Sequence, residues 1–392
     1  MKRLALLLTL TAAAALAVEL GCQESGGTEW EPQAGASGGS GFASGGVAGE
    51  SAASVGATRN TGGASVAGAG GGAGAGETMG GTGAIAGAGG AALAGTPTEA
   101  NLKVAFVGDT SDGTQWQSVA ELIAAEGVAA LFVAGDMTYD SDPAGWWAVT
   151  EQVFGATFPV FLARGNHDDD SWPDFLPKAQ THLGGAAITP GPHDAAYKQV
   201  FRGLSVATIK KGDSGELIKS FFEGDDHLWK VCLWHQNQHV MQLGDKTDEM
   251  GWDTYEACRV AGAFVVTGHE HSYSRTKTLT NMQQQAVDPT CADGASLCLG
   301  PGRAFANVVG LGGVGIRGQV RCVPSAALAP FPSLNTADAS CPMWASTYTS
   351  AQSANYGAQF YVFNVDGNPL LARGYFKNVD GITIDEFQIL RD

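Results

Sequence analysis

The sequence predicts an α/β fold, in which strands and helices alternate and the strands deliver polar side chains to one edge of a sheet. Apolar runs of strand length alternate with segments of helical periodicity from residue 102 to residue 163, which is the pattern of βαβ units. Several of the apolar runs end in Asp, Asn or His. Because open α/β sheets bind ligands at the carboxyl ends of their strands, we expect these side chains to form one site.

The first half of the predicted domain carries three such strand ends. Strands are predicted over residues 102–107, 129–134 and 158–163, and helices over residues 114–126 and 143–154. The strands lead into Gly108-Asp109, Gly135-Asp136 and Gly165-Asn166-His167-Asp168. A Gly-Asp pair after a strand is a common turn, so it carries little information alone. The third segment is more specific, because one glycine bend presents a neutral oxygen ligand and an imidazole side by side.

The second half repeats the pattern with histidines. Strands are predicted over residues 204–209, 229–234, 263–267, 304–309, 359–364 and 382–389, and helices over residues 216–222 and 248–261. His235 follows one strand, and Gly268-His269-Glu270-His271 follows the next. Alternate residues of an extended segment point to opposite sides, so His269 and His271 act together only if Gly268 allows a bend.

Other histidines give weaker signals. His239 follows His235 by one helical turn and is a candidate substrate contact. Residues 175–197 are predicted to be loop-rich, with His182 and His193 at the surface.

The N-terminus has the pattern of an export signal. Met1-Lys2-Arg3 precedes an apolar stretch, residues 4–18, which is too short for a comfortable membrane span. Cys22 follows a glycine, as in a bacterial lipoprotein signal over residues 1–21, although Glu19 occupies a position that is usually aliphatic. We predict an exported protein that is anchored to a bacterial membrane, on its periplasmic or cell-surface side, by lipid on Cys22. An ordinary cleaved signal is the alternative.

Residues 22–99 are dominated by Gly, Ala, Ser and Thr. Such a segment cannot bury enough apolar surface to offset the entropy of ordering its backbone, so we predict a disordered tether. The folded domain is predicted over residues 100–392, and we expect it to be monomeric.

The formal net charge is −17, from 22 basic and 39 acidic residues. An acidic chain without basic clusters argues against a nucleic-acid-binding surface. It does not exclude hydrolysis of small phosphate esters, because bound metal ions supply the positive charge.

Six of the seven cysteines remain if Cys22 carries lipid, and an even number in an exported protein favours disulfides. Proximity in sequence predicts the pairs Cys291–Cys298 and Cys322–Cys341. Cys232 and Cys258 are left over, and a free buried thiol at Cys232 is an equally good interpretation.

The order of the strand-end motifs resembles that of the calcineurin-like metallophosphoesterase superfamily over most of residues 101–392. The matching blocks are Gly108-Asp109, Gly135-Asp136, Gly165-Asn166-His167-Asp168, His235 and Gly268-His269-Glu270-His271. The resemblance implies a four-layer αββα sandwich of two mixed β-sheets flanked by helices.

Within this superfamily, the sequence looks most similar to the purple acid phosphatase branch. Most members carry Asp-x-His in the first block, and Ser111 stands at that His position here. The branch has the same gap and fills it with a Tyr three residues after the bridging Asp, where this chain has Tyr139. Two departures are Gly-Asp-Thr-Ser in place of Gly-Asp-x-Gly, and a low-complexity segment, residues 24–98, where the plant enzymes have a β-sandwich domain.

The resemblance implies two metal sites and their ligands. The first metal would be held by Asp109, Asp136, Tyr139 and His271. The second would be held by Asp136, Asn166, His235 and His269. His167 would lie outside both sets, near the leaving group, and Asp168 would orient His167 or a metal ligand. Asn166, like His239, is also a candidate substrate contact.

The ligand types favour iron, zinc or manganese, because no thiolate is among them. A phenolate favours a trivalent ion, so we expect Fe(III) in the Tyr139 site and Fe, Zn or Mn in the second. Two ions about 3.5–4 Å apart clamp a phosphate oxygen and lower the pKa of a water, whose hydroxide attacks phosphorus. The resemblance implies a phosphomonoesterase of acid-phosphatase type as the function. The alternatives are a phosphodiesterase or nucleotidase with the same ions, and a non-catalytic, surface-tethered binding lipoprotein.

Overall fold

The computed structural model describes residues 95–322 and 342–392. The predicted signal, the lipidated Cys22 and the tether up to residue 94 lie outside this part of the chain. The last residues of the predicted tether contact the domain, because Thr96 N donates to Asp226 O (2.9 Å) and Thr98 is buried. In the two described ranges, no helix combines the length and the apolar character that a membrane span requires.

Strands outnumber helices in the described chain. The strands are β1 (Leu102–Val107), β2 (Ala130–Ala134), β3 (Val160–Ala163), β4 (Ala187–Pro190), β5 (Tyr197–Phe201), β6 (Leu204–Thr208), β7 (Trp229–Leu233), β8 (Phe264–Thr267), β9 (Tyr273–Thr276), β10 (Leu279–Asn281), β11 (Ala286–Val287), β12 (Ser296–Leu299), β13 (Ala306–Val309), β14 (Trp344–Tyr348), β15 (Gly357–Phe363), β16 (Leu371–Asn378) and β17 (Thr383–Arg391). The α-helices are α1 (Thr114–Ala125), α2 (Pro143–Phe154), α3 (Trp172–Thr181), α4 (Gly215–Phe222) and α5 (Trp252–Val260). Short 3-10 helices lie at His239–Met241, Ser350–Gln352 and Val365–Gly367.

Most of these strands belong to two mixed sheets. One sheet has the strand order β12-β17-β16-β15-β1-β2-β3, and the other has the order β14-β9-β13-β8-β7-β6-β5-β4. Strands β1, β2 and β3 are parallel neighbours, and so are β6, β7 and β8. Each sheet therefore gathers the carboxyl ends of several strands at one edge, which is where the predicted site residues lie.

Strands β2, β3, β6, β7 and β8 are buried on both faces, because one face meets the other sheet and the opposite face meets helices. Phe106 and Phe132 stack at 4.8 Å within the main core, which also contains Tyr255 of α5. On the outer face of the first sheet, Trp116 of α1 and Trp146 of α2 stack at 5.7 Å in a separate apolar cluster. The structure thus confirms the predicted α/β sandwich of two mixed sheets flanked by helices.

The segment predicted to be loop-rich contains regular structure. Most of α3 and all of β4 lie within residues 175–197. The loop prediction rested on Gly184-Gly185, Pro190 and Pro192. Helix α3 precedes these residues, and its Pro173 lies in the first turn, where a missing N–H costs no hydrogen bond. The surface assignment of His182 is wrong: its ring is buried, stacks on Trp147 at 4.7 Å, and Nδ1 lies 2.7 Å from Phe158 O.

Two disulfides join described cysteines. The predicted pair Cys291–Cys298 is present. Cys232 in β7 is bonded to Cys258 in α5, so Cys232 is not a free thiol. Cys322 is disulfide-bonded as well. Its predicted partner, Cys341, lies outside the described residues, so that pairing stays a prediction.

Candidate metal centre

Four central strands carry the predicted ligands to one edge of the sandwich. Asp109 follows β1, Asp136 follows β2, His235 follows β7 and His269 follows β8, and all four residues are buried. The first pair comes from one sheet and the second pair from the other, so the candidate centre lies where the two sheets meet.

The backbone at these strand ends bends sharply. Asp109, Asp136 and His269 have φ values of 58°, 54° and 70°, in the left-handed region that ordinary residues avoid. Backbone hydrogen bonds from Asp109 N to Gly135 O and from Thr110 N to Asp136 O, both 3.0 Å, hold the first two loops together. Strained backbone of this kind persists where the surrounding structure fixes it, and such residues concentrate at functional sites.

Two glycines allow the loops to approach each other. A Cβ on Gly135 would lie 2.7 Å from the ring of His235, and φ is +81° at this glycine. A Cβ on Gly165 would overlap Asp136 Oδ1 and the Asp136 amide. Any larger residue at position 165 would therefore displace the carboxylate at the middle of the cluster.

The Tyr139 hydroxyl contacts the other three residues of the first ligand group. It lies 3.1 Å from Asp109 Oδ1, 3.2 Å from Asp136 Oδ2 and 3.1 Å from His271 Nε2. These are the four residues that the resemblance assigns to the first metal. Burial and the charges of Asp109 and Asp136 raise the pKa of Tyr139 far above its ordinary value. The phenol therefore needs a cation nearby in order to ionise.

The second ligand group shares Asp136 with the first. His235 Nε2 lies 3.0 Å from Asp136 Oδ2 and 3.2 Å from His269 Nδ1. Asp136, His235 and His269 offer ligand atoms that all lie within 4.8 Å of one another. Asn166, the fourth predicted ligand of this group, is exposed on the loop after β3, and its role as a ligand stays a prediction.

The histidines are oriented as metal ligands are. In each ring, one nitrogen contacts an oxygen outside the cluster and the other nitrogen faces inward. The outer contacts are His235 Nδ1 with Ala134 O (2.7 Å), His271 Nδ1 with Gly315 O (2.9 Å) and His269 Nε2 with Glu249 Oε2 (2.5 Å). An oxygen acceptor keeps the proton on the outer nitrogen, so the inner lone pair is available to an ion. Together with the carboxylates and the phenol, these donors fit iron, zinc or manganese.

The electrostatics of the cluster favour a bound cation. Burial raises the pKa of Asp109 to about 7. Burial would lower the pKa of His235, but Asp136 and Asp109 raise it to about 9. Burial would likewise raise the pKa of Asp136, but the charge of His235 lowers it below its usual range. The protonated His235 thus supplies a positive charge to the two carboxylates, and a bound metal ion would replace that charge.

The other two histidines are neutral at pH 7. Burial, with the nearby charge of His235, lowers the pKa of His269 to about 3. Burial, with the charge of Arg317, lowers the pKa of His271 to about 4. Neutral imidazole is the form that binds metal.

Asp168 orients a predicted ligand rather than the imidazole of His167. Its buried carboxylate accepts hydrogen bonds from the backbone N–H groups of Asp136 (2.8 Å), Met137 (2.9 Å) and Gly165 (2.9 Å). Of the two roles predicted for Asp168, the contacts favour support of the Asp136 loop. Burial, with the charge of Asp136, raises the pKa of Asp168 to about 6.

His167 lies at the mouth of the cluster. His167 is exposed, and its backbone N–H donates to Asp136 Oδ1 (2.9 Å). The centroid of its ring lies 4.2 Å from the centroid of the Tyr139 ring. His239 is half-buried, and its ring contacts Lys246 O (2.6 Å at Nδ1) and the guanidinium of Arg321. Its role as a substrate contact stays a prediction.

Glu249 contacts the predicted ligand His269 but carries no recognisable signal in the sequence. The predicted helix began at residue 248, whereas α5 begins at Trp252, so Glu249 lies on the loop before the helix and reaches His269. Local periodicity carries no signal for a contact between residues 249 and 269. An acidic residue close to the start of a helix is common for other reasons.

Comparisons with known proteins agree with the fold. Residues 102–273 match the family described as calcineurin-like phosphoesterase. The fold is similar to that of purple acid phosphatase PPD1 from yellow lupin (Lupinus luteus) seeds, with a TM-score of 0.53 and 18% identity. That match covers 76% of this chain and 55% of the lupin chain, so this chain spans about half the length of the plant enzyme.

Two further solved structures are more distant. GAP50, the anchor in the inner membrane complex of Plasmodium, gives a TM-score of 0.46 at 12% identity, over 75% of this chain and 92% of that one. PhoD gives a TM-score of 0.43 at 11% identity, over 74% of this chain and 72% of that one. No curated protein matches the sequence.

Proposed function

The chain belongs to the calcineurin-like phosphoesterases, and we propose that it is a phosphomonoesterase of the purple acid phosphatase type with a dinuclear metal centre. It is a metal-dependent phosphoric ester hydrolase by family. The contacts of Tyr139 carry the finer assignment, because its hydroxyl lies within 3.2 Å of atoms from Asp109, Asp136 and His271.

The position of Asp136 supports two ions rather than one. Its Oδ2 lies 3.2 Å from the Tyr139 hydroxyl and 3.0 Å from His235 Nε2, so one carboxylate faces both ligand groups. A shared carboxylate between two groups of donors is what a bridging ligand requires. We assign Fe(III) to the Tyr139 group and Fe, Zn or Mn to the His235–His269 group.

The chain's own residues complete the site. When bound, metal ions would supply Lewis acidity toward the phosphoryl oxygens and would lower the pKa of the attacking water. His167, which is exposed beside Tyr139, donates a proton to the departing alkoxide. Asp168 fixes the Asp136 loop through backbone N–H groups. Asn166, one residue before His167, binds the second ion or the substrate. The ester and one water yield an alcohol and orthophosphate.

Hydrolysis of p-nitrophenyl phosphate and of bis(p-nitrophenyl) phosphate by the metal-loaded full chain tests this function. We expect kcat/KM for the monoester to exceed that for the diester by at least tenfold. The opposite preference would assign the centre to a phosphodiesterase. Protein that binds metal and hydrolyses neither ester would favour the non-catalytic binding lipoprotein.

We also propose that lipid on Cys22 anchors the enzyme to a bacterial membrane. The support is the sequence alone, in which Cys22 follows a short basic region and an apolar stretch. Cys22→Ala should move phosphatase activity from the membrane fraction to the soluble exported fraction. Activity that stays in the membrane fraction of this variant would exclude the anchor.

A further inference from the structure

A cleft of about 310 Å³ opens beside the candidate metal centre, and three basic residues, Arg164, Lys210 and Lys211, line it. We call it the Lys210 cleft. Given the proposed function, we propose that the Lys210 cleft binds a second phosphoryl group of the substrate, so that the enzyme prefers diphosphate esters to simple monoesters. The proposal rests on the position of the cleft, on its charge and on a buried amide in its wall.

The Lys210 cleft adjoins the predicted ligands directly. Gly165 and Asn166 line it, and Gly165 packs so closely on Asp136 that a Cβ would overlap the carboxylate. Gln236, which also lines the cleft, follows the predicted ligand His235. We therefore assign the Lys210 cleft to a group that is bonded through one bridging oxygen to a phosphoryl group at the metals.

Lys210 is the cation of the cleft that has no carboxylate partner among the described residues. Arg164 pairs with Asp169 (2.6 Å), and Lys211 pairs with Glu249 (2.9 Å). Within residues 95–322 and 342–392, no carboxylate pairs with the Lys210 ammonium, and its hydrogen bond is to Lys211 O (3.3 Å). In a chain of net charge −17, an unpaired lysine beside a phosphate site is available to an anionic ligand.

The lysine is held close to a rigid element. It follows β6 by two residues, and its backbone N–H donates to Asp213 Oδ2 (2.9 Å). The side chain thus begins from a fixed point, which lowers the entropy lost on binding an anion.

A buried amide adds a second polar group. Gln236 is 5% exposed, and among the described residues its Oε1 has no hydrogen-bond partner. Buried polar atoms nearly always have partners, so an unpartnered amide oxygen in a residue that lines a cleft indicates that a hydrogen-bonding group is missing there. Rotation of the carboxamide presents its NH₂ group to a phosphoryl oxygen.

Together these groups fit a diphosphate. The metals would hold the terminal phosphoryl group, and Lys210 with Gln236 would neutralise and bind the next one. Water adds to the terminal phosphorus, and the bond between this phosphorus and the bridging oxygen breaks. A nucleoside diphosphate thus yields orthophosphate and the nucleoside monophosphate.

Binding of a diphosphate analogue tests the cleft without turnover. We would titrate metal-loaded full chain with α,β-methylene-ADP, which carries a second phosphoryl group, and with the phosphonate analogue of AMP, in which CH₂ replaces the ester oxygen. The phosphonate has one phosphoryl group, and a phosphomonoesterase does not hydrolyse it. We expect Kd for α,β-methylene-ADP to be at least tenfold lower than for the AMP phosphonate. Lys210→Gln should remove most of this difference and leave Kd for the AMP phosphonate within twofold. The matched control is Lys219→Gln, an exposed lysine on α4 that pairs with Glu216.

Equal Kd values for the two ligands, or equal losses in the two lysine variants, would overturn the proposal. Extraction of metal by the analogue would weaken binding in both variants alike, so it cannot imitate the expected result. Hydrolysis of p-nitrophenyl phosphate is measured in the same preparations. Wild-type protein that does not hydrolyse p-nitrophenyl phosphate would overturn the proposed function. Wild-type protein that hydrolyses it but shows no preference for the diphosphate analogue would overturn only the role of the Lys210 cleft.

Discussion

Glu249 Oε2 lies 2.5 Å from His269 Nε2, while the other ring nitrogen, Nδ1, lies 3.2 Å from His235 Nε2. The carboxylate therefore fixes the tautomer in which Nδ1 presents its lone pair to the candidate centre. Lys211 holds Glu249 in turn, with Nζ 2.9 Å from Oε1. Glu249 is thus a positioning residue that acts through a predicted ligand.

Glu249→Ala should weaken metal binding in the His269 group by about 10- to 100-fold, because the ring loses its orienting acceptor. Competition with a coloured chelator measures the affinity. Glu216→Ala, which removes an exposed acid from α4, is the matched control. Unchanged affinity in Glu249→Ala would contradict the positioning role.

Tyr139→Phe should abolish any charge-transfer absorption of the iron-loaded chain, because the phenolate is its source. Iron content should fall as well, since the first ligand group loses one of its four predicted donors. The visible spectrum and metal analysis measure both effects. Tyr356→Phe changes a half-buried tyrosine elsewhere and should keep the band. A band that survives in Tyr139→Phe would exclude the tyrosine as its origin.

His167→Ala should lower kcat on p-nitrophenyl phosphate by about 10²- to 10⁴-fold, the usual contribution of a general acid. Metal content should stay the same, because the predicted ligand sets do not include His167. His227→Ala, at a half-buried histidine that bonds Asp225 (2.8 Å), controls for the loss of an imidazole. Loss of metal from His167→Ala would show that this residue is a ligand.

Gly165→Ala should disturb the centre although it adds one methyl group. The new Cβ overlaps Asp136 Oδ1 and the Asp136 amide, so the carboxylate or the loop must move. We expect destabilisation by about 1–3 kcal/mol, measured by thermal unfolding, together with lower metal content. Gly113→Ala, where a Cβ would meet only the flexible end of Gln115 at 3.3 Å, should change neither quantity.

Acid should destabilise the domain through Glu126, which joins α1 to two strands. Burial opposes its ionisation, but Lys377, Tyr375 and Lys103 lower its pKa to about 2. A carboxylate with a lowered pKa stabilises the folded state above its ordinary pKa, about 4.5. This stability is lost as pH falls from about 4.5 toward 2.

Glu126→Gln should therefore lower the free energy of unfolding at pH 7 by roughly 1 kcal/mol, a value reduced for solvent screening. The difference from wild type should shrink below pH 4. Urea unfolding at several pH values measures it. A difference that is independent of pH would mean that the contribution of Glu126 is not electrostatic.

The sequence alone was sufficient for the strands and turns that carry most of the predicted ligands, because these features are local in the chain. Apolar runs of five to eight residues predict strands because a strand buries its side chains within its own length. A ligand-type residue after such a run predicts where Asp109, Asp136 and His235 lie, since parallel strands place their carboxyl ends together. The spacing of Tyr139 from Asp136 is local as well, and the structure brings both residues to the same cluster.

Only the tertiary structure decided the contacts between distant segments. The pairing of Glu249 with His269, the support of the Asp136 loop by Asp168 and the burial of His182 each join residues from different elements. Periodicity reports which face of an element is apolar, but it does not report which polar side chain from another element will meet it. The sheets bring those side chains together, because the packing of two sheets and their helices sets distances that no single segment encodes.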